Sequence, residues 1–187
     1  MLTRLFRIRA PEPPGEPLAP PARAIAPDEF RNVFARLASS VAVVTFHIGR
    51  HLHGFTATSL TPVSLAPPMA LFCVGRNNKS HRHLTIGTKV GISILSADQS
   101  VISARFAAKA ELGGYADITT FETAPGVPLV EGAVAGFEGT VSELIPAGDH
   151  TIHLCRLGFG ILGADGGPLL YFSRDYYSLG VIVRGSQ

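Results

Sequence analysis

At 187 residues the chain is long enough for one domain with a substantial core. A net charge of +2, with no Lys/Arg stripe and no aromatic–basic interleaving, excludes a nucleic-acid binder, and no apolar run approaches the ~18 residues of a membrane-spanning helix. Apolar residues make up 46% and charged residues 16%, below the usual ~25% charged, so some surface lacks charge to cover it; a homodimer with an apolar interface would supply that cover, and a neutral, hydroxyl-rich monomer would have the same composition.

The first residues, Met1 to Arg9, scatter charges among apolar side chains and lack the uninterrupted apolar core of a secretory signal. Cys73 and Cys155 sit alone inside apolar runs, which suggests buried free thiols in a reducing compartment; the cytoplasm is the expected location. Prolines at 11, 13, 14, 17, 20, 21 and 27 forbid helix and ladder alike, so 1–27 reads as an extended or disordered arm. The domain proper is expected over 28–180, with 181–187 as a tail. Asp28 is placed to cap a helix carrying Phe30, Val33, Phe34 and Leu37 on one face.

Val41 to Phe46 reads as a fully buried strand, Gly49 as a turn, and 53–60 as the next strand. Met69 to Val74 is another strand, Ser80 to Ile86 a short helix, and Val90 to Leu95 a strand. Asp98 to Ala110 is expected to be a helix with Val101, Ile102 and Phe106 inward, followed by a loop over 111–126. Strands are expected over Ala133 to Leu144, His150 to Leu157 and Pro168 to Phe172. Many short strands separated by turns, with few helices, indicate a mainly β chain and a β-barrel.

Three segments carry chemistry. His53-Gly54-Phe55-Thr56-Ala57-Thr58-Ser59-Leu60-Thr61 puts four hydroxyls and a glycine into a strand, suited to a planar ring with polar edges; an ordinary Ser/Thr-rich edge strand has the same pattern. Gly75-Arg76-Asn77-Asn78-Lys79-Ser80-His81 follows a buried strand and offers Lys79 and Ser80 to a phosphate, although Ser80 as a plain helix cap is equally in keeping with it. Gly148-Asp149-His150 ends a turn and begins a strand, so His150 could stack on or hydrogen-bond to a reacting ring, or be structural. His51-x-His53 and His81-x-His83 invite a metal, but no carboxylate or thiol accompanies them at ligand spacing, and none is expected. Phosphate-loop, dinucleotide and serine-nucleophile motifs are absent.

These segments resemble a known family. Phe30-Arg31 through Ser39-Ser40-Val41-Ala42-Val43-Val44-Thr45, the hydroxyl run with Val63-Ser64-Leu65-Ala66-Pro67-Pro68, Gly148-Asp149-His150, and Pro168-Leu169-Leu170-Tyr171-Phe172-Ser173 with Tyr176 are similar, in order, to the flavin reductase-like group of FMN-binding split barrels. The resemblance implies a Greek-key split β-barrel with flanking helices. It implies a homodimer with flavin near the subunit interface. The implied activity is reduction of FMN or FAD by NADH or NADPH for a partner flavin-dependent monooxygenase; the alternative is a flavoprotein that keeps FMN and transfers electrons. Thr56, Ala57, Thr58 and Ser59 would contact the isoalloxazine, mainly through backbone, with Ser64 at the ring or ribityl chain. Val74, Gly75, Asn77, Lys79 and Ser80 would follow the ribityl phosphate, and Arg105, Phe106, Ala107 and Lys109 would close the phosphate or adenosine side. His150, the candidate catalytic residue, would seat the nicotinamide with Tyr171 and Tyr176 nearby. The chain departs from the family pattern at Leu112-Gly113-Gly114-Tyr115, at Gly139, where Cys is common, and at Cys155, where Gly is usual.

Overall fold

The computed structural model describes residues 23–108, 114–124, 126–163 and 165–180. Most of the Pro-rich arm, Lys109, Leu112, Gly113 and the 181–187 tail lie outside them. The elements in chain order are α1 (Pro27–Phe34), β1 (Ser39–Ser40), β2 (Ala42–Ile48), β3 (His51–Ala57), β4 (Thr61–Leu65), β5 (Pro68–Gly75), a 3₁₀ turn (His81–His83), β6 (Lys89–Ile94), α2 (Ser100–Ala107), β7 (Thr120–Glu122), β8 (Pro128–Val130), β9 (Ala135–Ala147), β10 (His150–Leu162), β11 (Leu170–Phe172) and β12 (Asp175–Tyr177). The mainly β expectation holds.

Seven strands form one antiparallel sheet in the order β3-β2-β6-β9-β10-β5-β4. Its two edges are β3 and β4, yet only Thr58, Ser59 and Leu60 separate these strands in the chain. In a flat sheet the edges would stand about 29 Å apart, whereas four Cα–Cα steps reach about 15 Å. The sheet must therefore curl until its edges face each other, which makes it a barrel split along one seam. The hydroxyl run crosses that seam.

Two hairpins are closed by two-residue turns that begin with glycine in the left-handed region: Gly49 (φ 61°) between Ile48 and His51, and Gly148 (φ 61°) between Ala147 and His150. The second turn fixes His150 as the first residue of β10.

Residues of β2 are buried on both faces. Ala42, Val44 and Phe46 join Phe55, Ala57, Phe72, Val74, Val90, Ile92, Val141 and Cys155 inside the barrel. Val41 and Val43 join Leu95, Phe106, Tyr115, Val130 and Leu169 outside it, beneath α2 and β8. This explains why 41–46 reads as an unbroken apolar run. Burial pushes the Cys155 thiol up to about 12, so it remains a thiol inside the core.

Several expected elements differ. Helix α1 begins after Ala26 with Pro27 in its first turn, and no side chain caps it; Asp28 instead pairs with Arg31 at 2.6 Å. The apolar face of α1 is exposed: Phe30, Val33 and Phe34, with Leu37 just beyond the helix, are all about half open to solvent. The helix expected over 80–86 is a single 3₁₀ turn, too short for a useful helix dipole. In α2 the inward residues are Ser103 and Phe106, with Ile102 half-buried, whereas Val101 points outward at 72% exposure. A short strand, β7, lies within the expected 111–126 loop and pairs with β8 just beyond it. The strand β4 was hidden by Pro62, which an edge strand tolerates.

Candidate active site at the split of the barrel

The seam has two walls. One is β3, an edge strand paired only with β2, so part of its backbone has no sheet partner. The other is the end of β5 with the turn that follows. Pairing of β4 with β5 begins at Thr61↔Leu71, and beyond it the Ser59 hydroxyl takes over by accepting the Cys73 N–H at 2.9 Å. Thr56 donates its hydroxyl to the Ser103 carbonyl at 2.6 Å, tying β3 to α2. Two hydroxyls expected to face a ligand are thus held by the fold. Thr58 is exposed, and ligand contact by Thr56 and Ala57 falls to their backbone, since the Ala57 side chain is in the core.

A hollow of about 360 Å³ opens between the walls. It is lined by His53, Gly54, Phe55, Asn77, Asn78, Lys79, Ser80, Phe106, Ala107, Ala108 and Tyr115. Five residues expected along the phosphate side meet here: Asn77, Lys79, Ser80, Phe106 and Ala107. The lining offers one ammonium, amides and hydroxyls, and no carboxylate. Asn78 shapes the turn by accepting the Ser80 N–H at 2.9 Å. Tyr115 lies flat on Phe106, with ring centres 4.3 Å apart, and its hydroxyl donates to the Gly54 carbonyl at 3.4 Å. Such a lining suits the phosphate end of a flavin.

A second groove lies beside Thr58 and Ser59, bordered by Tyr171, Arg174 and the exposed face of α1. Tyr171 packs edge-on against Tyr176, whose hydroxyl lies 2.9 Å from the Ser103 Oγ. Ser64 is half-buried in β4, beside a register shift. The Val74 side chain belongs to the core, leaving its backbone at the seam. Arg105 is turned away from the phosphate hollow: it donates two hydrogen bonds to Asp117 and one to the Gly114 carbonyl, all at 2.8 Å. The carboxylate partner orients it toward the 114–119 segment, outside the lining of the hollow.

His150 pairs across the sheet with Gly75, and its ring lies over that residue; a Cβ on Gly75 would sit 3.5 Å from the His150 Nε2. Asp149 accepts the Nδ1–H at 2.7 Å, leaving Nε2 toward Gly75, and this bond holds the Asp149 carboxyl below its ordinary value. The Arg76 N–H donates to the Asp149 carbonyl at 2.9 Å, locking the turn to the end of β5.

Sequence reasoning assigned no site role to His53, Gly54, Phe55, Asn78, Ala108 and Tyr115, which also line the hollow. The HxH spacing draws attention to His53 as a metal ligand, and among the described residues no group of three or more His, Cys, Asp or Glu could hold a metal. His53 and His153 are both buried, and each has one ring nitrogen without a hydrogen-bond partner among the described residues. Burial is the chief cause that pushes both below 6.5. The unfolded chain therefore binds more protons below neutrality, and stability from these two residues is present above about pH 6.5 and lost as pH falls through it. The unfolding midpoint is expected to drop between about pH 7.5 and 5.5, and His153→Phe, which can keep the stack on Phe72, should flatten the drop. A midpoint indifferent to pH over that range would contradict this.

A curled antiparallel sheet with a cationic hollow at its seam defines a small split β-barrel. The chain belongs to the flavin reductase family: the model for the flavin reductase like domain matches residues 34–180. It is 35% identical over 163 residues to an NADH-dependent flavin reductase of Rhodococcus, covering 86% of this chain and 90% of that one. It is 32% identical over 156 residues to the 4-hydroxyphenylacetate 3-monooxygenase reductase component of Salmonella typhimurium, covering 79% and 89%. The solved NADH:FAD oxidoreductase of Streptomyces globisporus C-1027, in complex with NAD and FAD fragments, superposes with a TM-score of 0.77 at 30% identity, covering 85% of this chain and 98% of that one.

Proposed function

We propose that the protein oxidises NADH and reduces FMN or FAD, and passes the reduced flavin to a separate monooxygenase. The observation that carries this reading is the meeting of Asn77, Lys79, Ser80, Phe106 and Ala107 in one carboxylate-free hollow, beside a strand edge with unpaired backbone groups. Bound flavin supplies the redox chemistry, accepting at N5 the hydride that leaves nicotinamide C4.

The chain's own residues bind and orient. Lys79, Asn77 and Ser80 hold the phosphate by charge and hydrogen bonds. The backbone of Thr56 to Ser59 meets the polar edge of the ring. His150, steadied by Asp149, seats the nicotinamide near Gly75, with Tyr171 and Tyr176 bordering the groove. No side chain need transfer a proton in the hydride step, so His150 acts through position.

The groove beside Thr58 and Tyr171 is walled by an apolar helix face that nothing among the described residues covers. A second copy would cover that face, so the working form is a homodimer. Among the described residues no helix is long and apolar enough to cross a membrane, and two free cysteines are in keeping with work in the cytoplasm.

Anaerobic mixing of the protein with NADH and excess FMN or FAD tests the reading. Loss of the yellow flavin absorption is expected; persistence of the colour with both NADH and NADPH would overturn it. His150→Ala should raise the KM for NADH about tenfold while changing FMN affinity less than about twofold. An unchanged KM would remove His150 from the nicotinamide site.

A further inference from the structure

His53 is 5% exposed and lines the phosphate hollow from β3, yet its Nδ1 is buried with no hydrogen-bond partner among the described residues. A buried polar nitrogen of this kind is costly unless something completes it. Each neighbouring element presents a definite group to the imidazole. From β2 comes the Phe46 ring, edge-on at 5.2 Å; from the 114–119 segment, the Tyr115 ring at 6.1 Å, whose phenol burial keeps protonated; and from the 3₁₀ turn, the His83 ring at 6.2 Å. Arg82 in that turn and Lys79 just before it bring positive charge, and Arg82 donates to the His83 Nε2 at 3.0 Å. None of the groups that bias His53 is a carboxylate.

This surrounding has a consistent sense. Burial first, then His83, Lys79 and Arg82, bias His53 toward the neutral form. An anion placed among the same groups reverses the balance, because it offsets the cations and rewards an N–H aimed at it. We propose that His53 is a proton-coupled ligand for the flavin phosphate, taking one proton from solvent as the anion enters the hollow and donating an N–H to it. The proposal rests on the flavin reading of the hollow and adds a residue and a linkage to it. Only a proton is exchanged: imidazole becomes imidazolium on binding and returns the proton on release. Flavin affinity therefore weakens as pH rises, and flavin loss returns a proton to solvent.

Calorimetric titration of the intact protein with FMN near pH 7.5, where a phosphate monoester is already dianionic, reads the linkage when repeated in buffers of different ionisation enthalpy. Net uptake of about 0.3 to 1 proton per FMN is expected, and none with riboflavin, which lacks the phosphate. His53→Gln should abolish the uptake and weaken FMN about tenfold, whereas His83→Gln should retain it. Should His53→Gln fail to fold, histidine side-chain nitrogen NMR of the wild type with and without FMN gives the same answer through the appearance of one newly protonated imidazole. FMN binding with no proton uptake and unchanged histidine resonances would overturn the proposal and leave the reductase reading intact. Failure of both FMN and FAD to bind would overturn both.

Discussion

Lys79→Glu is expected to weaken FMN binding about 100-fold and riboflavin binding less than about threefold. Lys79 is the only ammonium among the described residues that line the hollow, and no carboxylate there competes for it. A hydrogen bond to a charged group contributes about 1.5–3 kcal/mol, and reversal of the charge adds repulsion against a dianion. Since Lys79 is exposed, salt screens part of the attraction; wild-type affinity for FMN should fall with ionic strength, and the variant's should fall less. Fluorescence titration of both ligands at two salt concentrations measures these effects. An equal loss for FMN and riboflavin would show that Lys79 supports the fold of the turn and not the phosphate.

A large stability effect is expected at Gly91. This residue lies mid-strand in β6, paired with Thr45 on one side and Glu138 on the other. A Cβ built there would stand 2.0 Å from the Pro128 carbonyl oxygen and 2.7 Å from the Thr45 Oγ1. The obstruction is backbone, so no rotamer change relieves it. Thr45 donates its buried hydroxyl to the same Pro128 carbonyl, pinning β8 onto the sheet. Gly91→Ala must lift β8, break that bond and loosen Leu129 and Val130, for a loss of about 3 kcal/mol or more. This is a large share of the ~5–15 kcal/mol that holds a typical domain together. Gly160→Ala, whose Cβ would meet a Phe137 ring carbon at 3.4 Å, should cost less than about 1 kcal/mol. Urea denaturation of the two variants decides the point; equal midpoints would mean that β8 does not lie against Gly91.

What the sequence revealed follows from how local each signal is. The buried run of β2, the glycine turns at 49 and 148 and the alternation of β10 depend on neighbours in the chain, and all are found where expected. The hydroxyl run lies at the seam, but two of its hydroxyls serve the fold. Thr56 and Ser59 turn their hydroxyls to Ser103 and Cys73, residues that only the curled sheet brings near. The same limit hid His53: its neighbours Phe46, His83 and Tyr115 come from three separate segments. Arg105, which the resemblance puts on the phosphate or adenosine side, is held by Asp117, a partner that lies beyond a region with only turn signals. Helix α1 shows the converse, since its periodicity was legible while the exposure of its apolar face was not.

The central claim is that the seam between β3 and the end of β5 holds the flavin, with its phosphate against Asn77, Lys79 and Ser80. The most direct measurement is a crystal structure of the protein grown with FMN. The account predicts phosphate density within hydrogen-bonding reach of Lys79 and Ser80, and the ring edge along the backbone of Thr56 to Ser59. Density for the ring and phosphate elsewhere, with the hollow beside His53 left unused, would contradict it.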